Sequence, residues 1–195
     1  MKKLILHPGL HKTGTSAIQA SLNLNRSKLL DFEVYYPSTE PFDAHHRLAS
    51  RIKEQHDNEL RKLDILRTFG EWSTKSDTIL VSSEIFSECA DVSCLSVLGE
   101  IFHDIEIVFY IREQIGLLGS AYNQQVKQNG ETRRFEEYKP YFTSIYENIK
   151  QYRKALPQSR IKVFNYDKKA LHDGDVVSDF YKNVLSMDSS IFRSI

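Results

Sequence analysis

The chain has 195 residues, enough for one well-buried α/β domain and small for two, so a single domain spanning residues 1–195 is expected. Its 26 basic and 26 acidic side chains give a formal net charge of zero, so no global field draws it to nucleic acid or to an anionic membrane, and any anion binding has to be local. Cys89 and Cys94 lack a histidine pair at metal spacing and indicate neither a disulfide framework nor a zinc site; both read as small, partly buried apolar residues.

Lys2-Lys3 precede the apolar run Leu4-Ile5-Leu6, which stops at Pro8-Gly9, far short of a signal-peptide core. No other stretch approaches membrane-spanning length, so a cytoplasmic protein is expected. The same run leads through His7-Pro8-Gly9-Leu10-His11-Lys12-Thr13-Gly14-Thr15-Ser16 into Ala17-Ile18-Gln19-Ala20, which reads as strand, tight glycine loop and helix. Such a loop aims backbone N–H groups and the positive end of a helix at one point, and Lys12 adds a mobile charge at its rim. A Walker A loop would read G-x-x-x-x-G-K-[ST]; here Gly9 and Gly14 have that spacing, but Thr15 stands where the lysine belongs.

Further along, Ile18, Leu22 and Leu29 mark one face of a first helix, and Glu33 to Pro37 reads as a short strand closed by proline. A largely solvated helix follows from Glu54 through Leu60, Leu63 and Leu66. Thr78 to Ser82 is a buried strand, and Leu95, Leu98, Ile101 and Phe102 line a helix that hands over to the strand Ile105 to Ile111. Ile115, Leu118, Tyr122 and Val126 stripe the next helix. Phe142, Ile145, Tyr146, Ile149 and Tyr152 stripe another, Arg160 to Tyr166 is the last clear strand, and a helix from Asp175 to Met187 ends the chain. Continuously apolar strands alternating with amphipathic helices predict a three-layer α/β/α fold with a central parallel sheet, like that of P-loop NTPases. In such sheets ligands sit beyond the carboxyl ends of the strands, where the glycine loop, Ser83-Glu84 and Arg112 all fall.

Lys12-Thr13-Gly14-Thr15-Ser16 after a strand resembles the 5′-phosphosulfate loop, K-[TS]-G-[TS]-[TS], of the sulfotransferases that use 3′-phosphoadenosine 5′-phosphosulfate (PAPS). The second motif of that family, a strand ending in arginine with a serine eight residues later on the next helix, is matched by Arg112 and Ser120. The resemblance implies PAPS as co-substrate and no metal. It also implies a 5′-phosphate held by the backbone of Thr13, Gly14, Thr15 and Ser16, a 3′-phosphate held by Arg112 and Ser120, and Lys12 at the leaving group. It covers the chain from Lys2 to about Asp167. Two departures stand out: Glu113-Gln114 follow Arg112 where the family often has asparagine and proline, and nothing after Tyr166 matches the family's later basic loop. Lys168-Lys169 and His172-Asp173-Gly174 are weak substitutes.

Sulfuryl transfer through a loose, in-line transition state rests on positioning and on a cation at the leaving oxygen, the part that suits Lys12. The acceptor hydroxyl needs a base. Glu84 sits where the sheet edge opens, and saccharide sulfotransferases use a glutamate in this region while others use a histidine. Glu84 reads equally as a helix N-terminal carboxylate after a Ser82-Ser83 cap, and His11, His45 and His46 are alternative bases. His7 and His11 are also candidates to donate to the anionic groups. The acceptor pocket would be built from loops such as Ser38 to His46 and Thr132 to Tyr141, whose mixed chemistry leaves its ligand open, a carbohydrate or small metabolite with a free hydroxyl being favoured. Thr132-Arg133-Arg134 reads as a surface turn. A homo-oligomer is left open. The competing readings are a nucleotide-dependent kinase, set back by the absent Walker lysine, and a catalytically inactive nucleotide-binding module.

Overall fold

A computed structural model describes residues 1–38, 41–55, 57–89, 91–138 and 144–193. Five strands, β1 (Lys3–His7), β2 (Val34–Tyr35), β3 (Thr78–Ser82), β4 (Asp104–Ile111) and β5 (Arg160–Asn165), form one parallel sheet in the order β2-β3-β1-β4-β5. β1 lies at the centre, with Leu4 registered between Ile79 and Ile105. A strand buried on both faces needs apolar side chains at successive positions, and Leu4, Ile5 and Leu6 are all 0–1% exposed.

The period-2 alternation sends these side chains to two separate cores. Leu4, Leu6, Val81, Ile107 and Phe109 face one layer, filled by α3 (His46–Glu54), α4 (Asn58–Ser73) and α6 (Ile145–Ala155) through Leu48, Ile52, Ile65, Phe69 and Tyr152. Ile5, Leu80, Val108 and Tyr110 face the other. That layer is filled by Ile18 and Leu22 of α1 (Thr15–Leu24), Leu29 of α2 (Arg26–Asp31), Val176 of α7 (Val176–Asp179), and Phe180 and Tyr181 beyond it. The expected α/β architecture with helices on both sheet faces is therefore present.

Besides the helix expected from Glu54, which begins as α4 only at Asn58 because Glu54 ends α3 and Asp57 caps the next helix, four elements differ from the sequence reading. The first helix breaks at Asn25, whose amide bonds the Ser21 and Arg193 carbonyls while its oxygen accepts from the Arg193 N–H, a long-range tie that ends α1 and restarts the chain as α2. Leu95 and Leu98 are buried as expected, but in a 3₁₀ helix spanning Ser93–Glu100. The last helix is short: α7 opens into a π turn at Phe180–Val184, where the Leu185 N–H reaches back to the Phe180 carbonyl. At that junction buried Asp179 accepts from the Tyr110 hydroxyl, the His172 N–H and the Asn183 amide.

The fourth difference is α5 (Gln114–Asn129), which buries none of its stripe; Ile115 is 76% exposed. Both faces of the sheet at β4 are already occupied, Phe109 by Tyr152 and Tyr110 by Phe164 and Phe180. Tyr122 instead packs on Phe135 and Tyr138 of the following turn. Phe142, expected on the α6 stripe, lies outside the described residues, as do residues 39–40 and 139–141 of the two expected acceptor loops.

Candidate active site

The carboxyl ends of β1, β3 and β4 adjoin in the sheet, so the residues that follow them share one edge of the molecule. After β1, the chain turns through three left-handed positions, Gly9 (φ +60), Lys12 (φ +67) and Gly14 (φ +76), before α1 begins at Thr15. Lys12 carries a side chain in a conformation that favours glycine, a cost tolerated here where its ammonium stands at the loop rim. The buried hydroxyls of Thr13 and Thr15 both turn inward and bond the Leu10 carbonyl, at 2.7 and 3.2 Å. That pins the loop. None of the amides of Thr13, Gly14, Thr15 and Ser16 donates to a backbone carbonyl among the described residues, so four donors stand at the positive end of α1.

Gly14 has no room for a side chain: a Cβ there would lie 2.7 Å from Val176 Cγ1 and 2.8 Å from Tyr166 Cε2. The segment after β5 thus closes against the loop. Arg112, directly after β4, donates from Nη1 to the Lys12 carbonyl at 3.4 Å, and its guanidinium lies 5.6 Å from the Tyr166 ring centre. A cleft of about 510 Å³ opens there, lined by Gly14, Arg112, Gly116, Tyr166, Lys168 and Val176 among others. Ser120 faces a second cavity of about 300 Å³ that it shares with Lys12, Asn123, Gln124, Lys127 and Gln128. Arg112 and Ser120 therefore open on separate clefts that both border the loop.

The acidic residue that follows Arg112 is occupied. Glu113 caps α5, its Oε1 accepting the Gly116 N–H. Lys168, one of the two lysines after β5, reaches the cleft wall, with Cγ 3.3 Å from where a Gly174 Cβ would stand.

Glu84 follows β3 and does not cap the turn it starts; Ser83 does, accepting the Ile85 N–H at 3.2 Å. The Glu84 side chain, only 13% exposed, turns toward the loop, with Cγ 3.5 Å from where a Gly9 Cβ would stand. Its Oε2 accepts from Gln19 Nε2 at 3.1 Å and lies 3.9 Å from His46 Nε2. Gln19 is buried and donates a second bond to Ser82 Oγ at 3.1 Å, while Ser82 Oγ and His7 Nδ1 are 2.9 Å apart. Gln19 gives to both oxygens, and the direction of the Ser82–His7 bond follows the tautomer of the ring.

Among the histidines of the described residues, His46 is the one that stands beside Glu84. His7 is fully buried against Phe180 and Tyr110, and burial drives its pKa down to about 3. His45 is packed between Tyr36 and Trp72 and accepts the Ser82 N–H; burial is the main cause that lowers its pKa to about 4. Both act as neutral core residues. His11 pairs at 2.7 Å with Glu88, which Lys53 also holds. Arg133 is engaged by Glu131 at the surface. Cys89 and Cys94 are free and buried in the core. Among the described residues no three His, Cys, Asp or Glu side chains gather as a metal site, and no helix is long and apolar enough to cross a membrane.

Gln19 escaped the sequence reading. The available signal was a carboxamide on the apolar face of α1, between Thr15 and Leu22 at helical spacing, where a polar group has to find partners inside.

A parallel α/β sheet with a glycine loop after its central strand defines a P-loop-like, sulfotransferase-like fold. The crystal structure of a sulfotransferase from Alicyclobacillus acidocaldarius superposes on all of this chain and 84% of its own, with a TM-score of 0.56 and 16% sequence identity. No protein-family model matches the chain. An uncharacterized protein of Archaeoglobus fulgidus is 35% identical over 75 residues, 38% of this chain; the match spans about a fifth of that relative's length, 21%.

Proposed function

We propose that the chain is a PAPS-dependent sulfotransferase acting on a hydroxyl of a carbohydrate or small metabolite in the cytoplasm. The observation that carries this reading is the convergence of Lys12 with its free-amide loop, Arg112 and the Glu84 carboxylate on one sheet edge. The likeness to the Alicyclobacillus sulfotransferase supports it at the level of fold.

The donor has two anionic ends, and the residues fit both. Thr13, Gly14, Thr15 and Ser16 offer amides for a 5′-phosphate. Arg112 offers a guanidinium to the 3′-phosphate from the cleft beside Tyr166, with Ser120 across the loop and Lys168 on the wall. PAPS supplies a sulfuryl group activated by its bond to the 5′-phosphate. Lys12 offsets the charge that grows on the departing phosphate oxygen as that S–O bond breaks. Glu84 takes the acceptor proton as the acceptor oxygen forms the new S–O bond, so charge and protons balance without a further reactant. The kinase alternative is disfavoured by Thr15, whose hydroxyl is turned to the Leu10 carbonyl and supplies none of the grip of a Walker lysine.

Incubation with ³⁵S-labelled PAPS and a panel of hydroxylated acceptors tests the reading. Label transfer that disappears in Lys12→Met supports it; no transfer to any acceptor, with ATP hydrolysed instead, overturns it.

A further inference from the structure

We propose that Gln19 and His46 are positioning residues that clamp one oxygen of Glu84 and leave the other to receive the acceptor proton. This inference rests on the role given to Glu84 in the proposed function.

The geometry is directional. Gln19 Nε2 donates to Glu84 Oε2 at 3.1 Å, and the same nitrogen donates to Ser82 Oγ at 3.1 Å. The amide is thereby tethered to β3 and cannot follow the carboxylate if it swings. Ser82 Oγ is committed in turn to His7, a ring sealed in the core, so the tether ends on the rigid sheet. From the opposite side, Ser83 Oγ accepts the Ile85 N–H and has one proton to give, and His46 Nδ1 is 2.8 Å away. The Ser83 contact ties the His46 ring to the end of β3 and holds its Nε2 3.9 Å from Glu84 Oε2, at ion-pairing distance and beyond hydrogen-bond reach. A hydrogen bond from α1 and an imidazole of α3 thus meet the same carboxylate oxygen from different elements.

Glu84 Oε1 has no hydrogen bond among the described residues. A carboxylate held this way has one oxygen anchored and one oriented, the arrangement a general base needs to meet a hydroxyl at a fixed angle. Among the described residues the neighbours that contact the carboxylate cluster are neutral Gln19, Ser82 and Ser83 together with the titratable His46. Tyr36 Oη, in the same region, is engaged by the Asp43 carbonyl.

A double-mutant cycle separates positioning from mere packing. Gln19→Met keeps the volume and removes the donor; His46→Ala removes the imidazole beside Oε2 from a partly exposed site. Each is combined with Glu84→Gln, which keeps the shape but accepts no proton. The expected result is a loss in kcat of roughly ten- to a hundredfold for Gln19→Met, a smaller loss for His46→Ala, and an unchanged KM for PAPS. In the Glu84→Gln background neither substitution lowers the residual rate further. If Gln19→Met and His46→Ala turn over like the wild type while Glu84→Gln is inactive, the clamp is wrong and the sulfotransferase reading stands. Losses of equal size with and without Glu84 overturn the clamp as well. Full activity of Glu84→Gln overturns both the clamp and the assigned base, and a wild-type chain that neither binds 3′-phosphoadenosine 5′-phosphate nor transfers sulfuryl overturns the underlying function.

Discussion

Gly14 and Val176 are in such close contact that a Cβ on the glycine would lie 2.7 Å from the valine Cγ1, so the glycine loop and α7 are packed as one piece. The rear of the loop is set by a segment more than 150 residues away in sequence. Gly14→Ala has to push Val176 and Tyr166 aside and also place a side chain at φ +76. The expected cost is about 2–4 kcal/mol, combining the left-handed penalty with overpacking. Urea unfolding checks this, and adding Val176→Ala should recover part of the loss. An unchanged midpoint for Gly14→Ala would contradict the close packing.

Lys12 offers an unusual separation of stability from activity, because its backbone sits at φ +67. Lys12→Gly is expected to stabilise the fold by up to about 1 kcal/mol while removing the ammonium. Lys12→Met removes the charge without the backbone relief. Both should lower sulfuryl transfer by roughly a hundredfold or more, with melting temperature rising only for the glycine variant. A lysine that serves only the surface would leave turnover unchanged in both.

Two buried histidines make stability depend on pH above the range where carboxylates titrate. His7 and His45 have pKa values lowered by burial to about 3 and about 4, below the unfolded value of 6.5. Below 6.5 the unfolded chain therefore binds protons that the folded chain refuses, so their contribution is complete above that pH and declines as pH falls toward 4. Between pH 7 and pH 5 each histidine should remove about 2 kcal/mol of unfolding free energy. Denaturant titrations at the two pH values test the slope, and His45→Phe should roughly halve it; a flat profile would mean that these rings take up protons in the fold as readily as in the unfolded chain.

Glu113 caps α5, its carboxylate accepting the Gly116 N–H. Glu113→Ala is expected to weaken the start of α5 by about 1 kcal/mol and to speed amide exchange over residues 114–117. Nucleotide affinity should not fall, because the carboxylate bonds the Gly116 N–H and contributes no attraction to an anion. A large drop in affinity would show that its position beside Arg112 matters directly.

What the sequence reveals here tracks how local the cause is. The apolar runs at Leu4–Leu6 and Ile105–Ile111, and the glycine loop between β1 and α1, are decided within a few residues, and they appear as expected. The convergence of the loop, Glu84 and Arg112 also follows from strand order alone, since β3, β1 and β4 are neighbours. The break at Asn25 depends on Arg193, and the unburied stripe of α5 depends on Tyr152, Phe164 and Phe180 having already filled the sheet at β4. Neither is written near the residues it affects. Gln19 lay between these cases: its polar side chain on an apolar face was visible, but its two acceptors, on and just beyond β3, were not.

The most direct test of the account is calorimetric titration with 3′-phosphoadenosine 5′-phosphate, beside ADP and ATP with Mg²⁺, in the wild type and in Arg112→Ala. The account predicts that the 3′-phosphorylated nucleotide binds at least about tenfold more tightly than ADP, a difference of about 1.4 kcal/mol or more for a charge-assisted arginine contact, and that Arg112→Ala erases this preference. Equal or tighter binding of ADP or ATP with Mg²⁺, or a preference that survives the loss of Arg112, would contradict it.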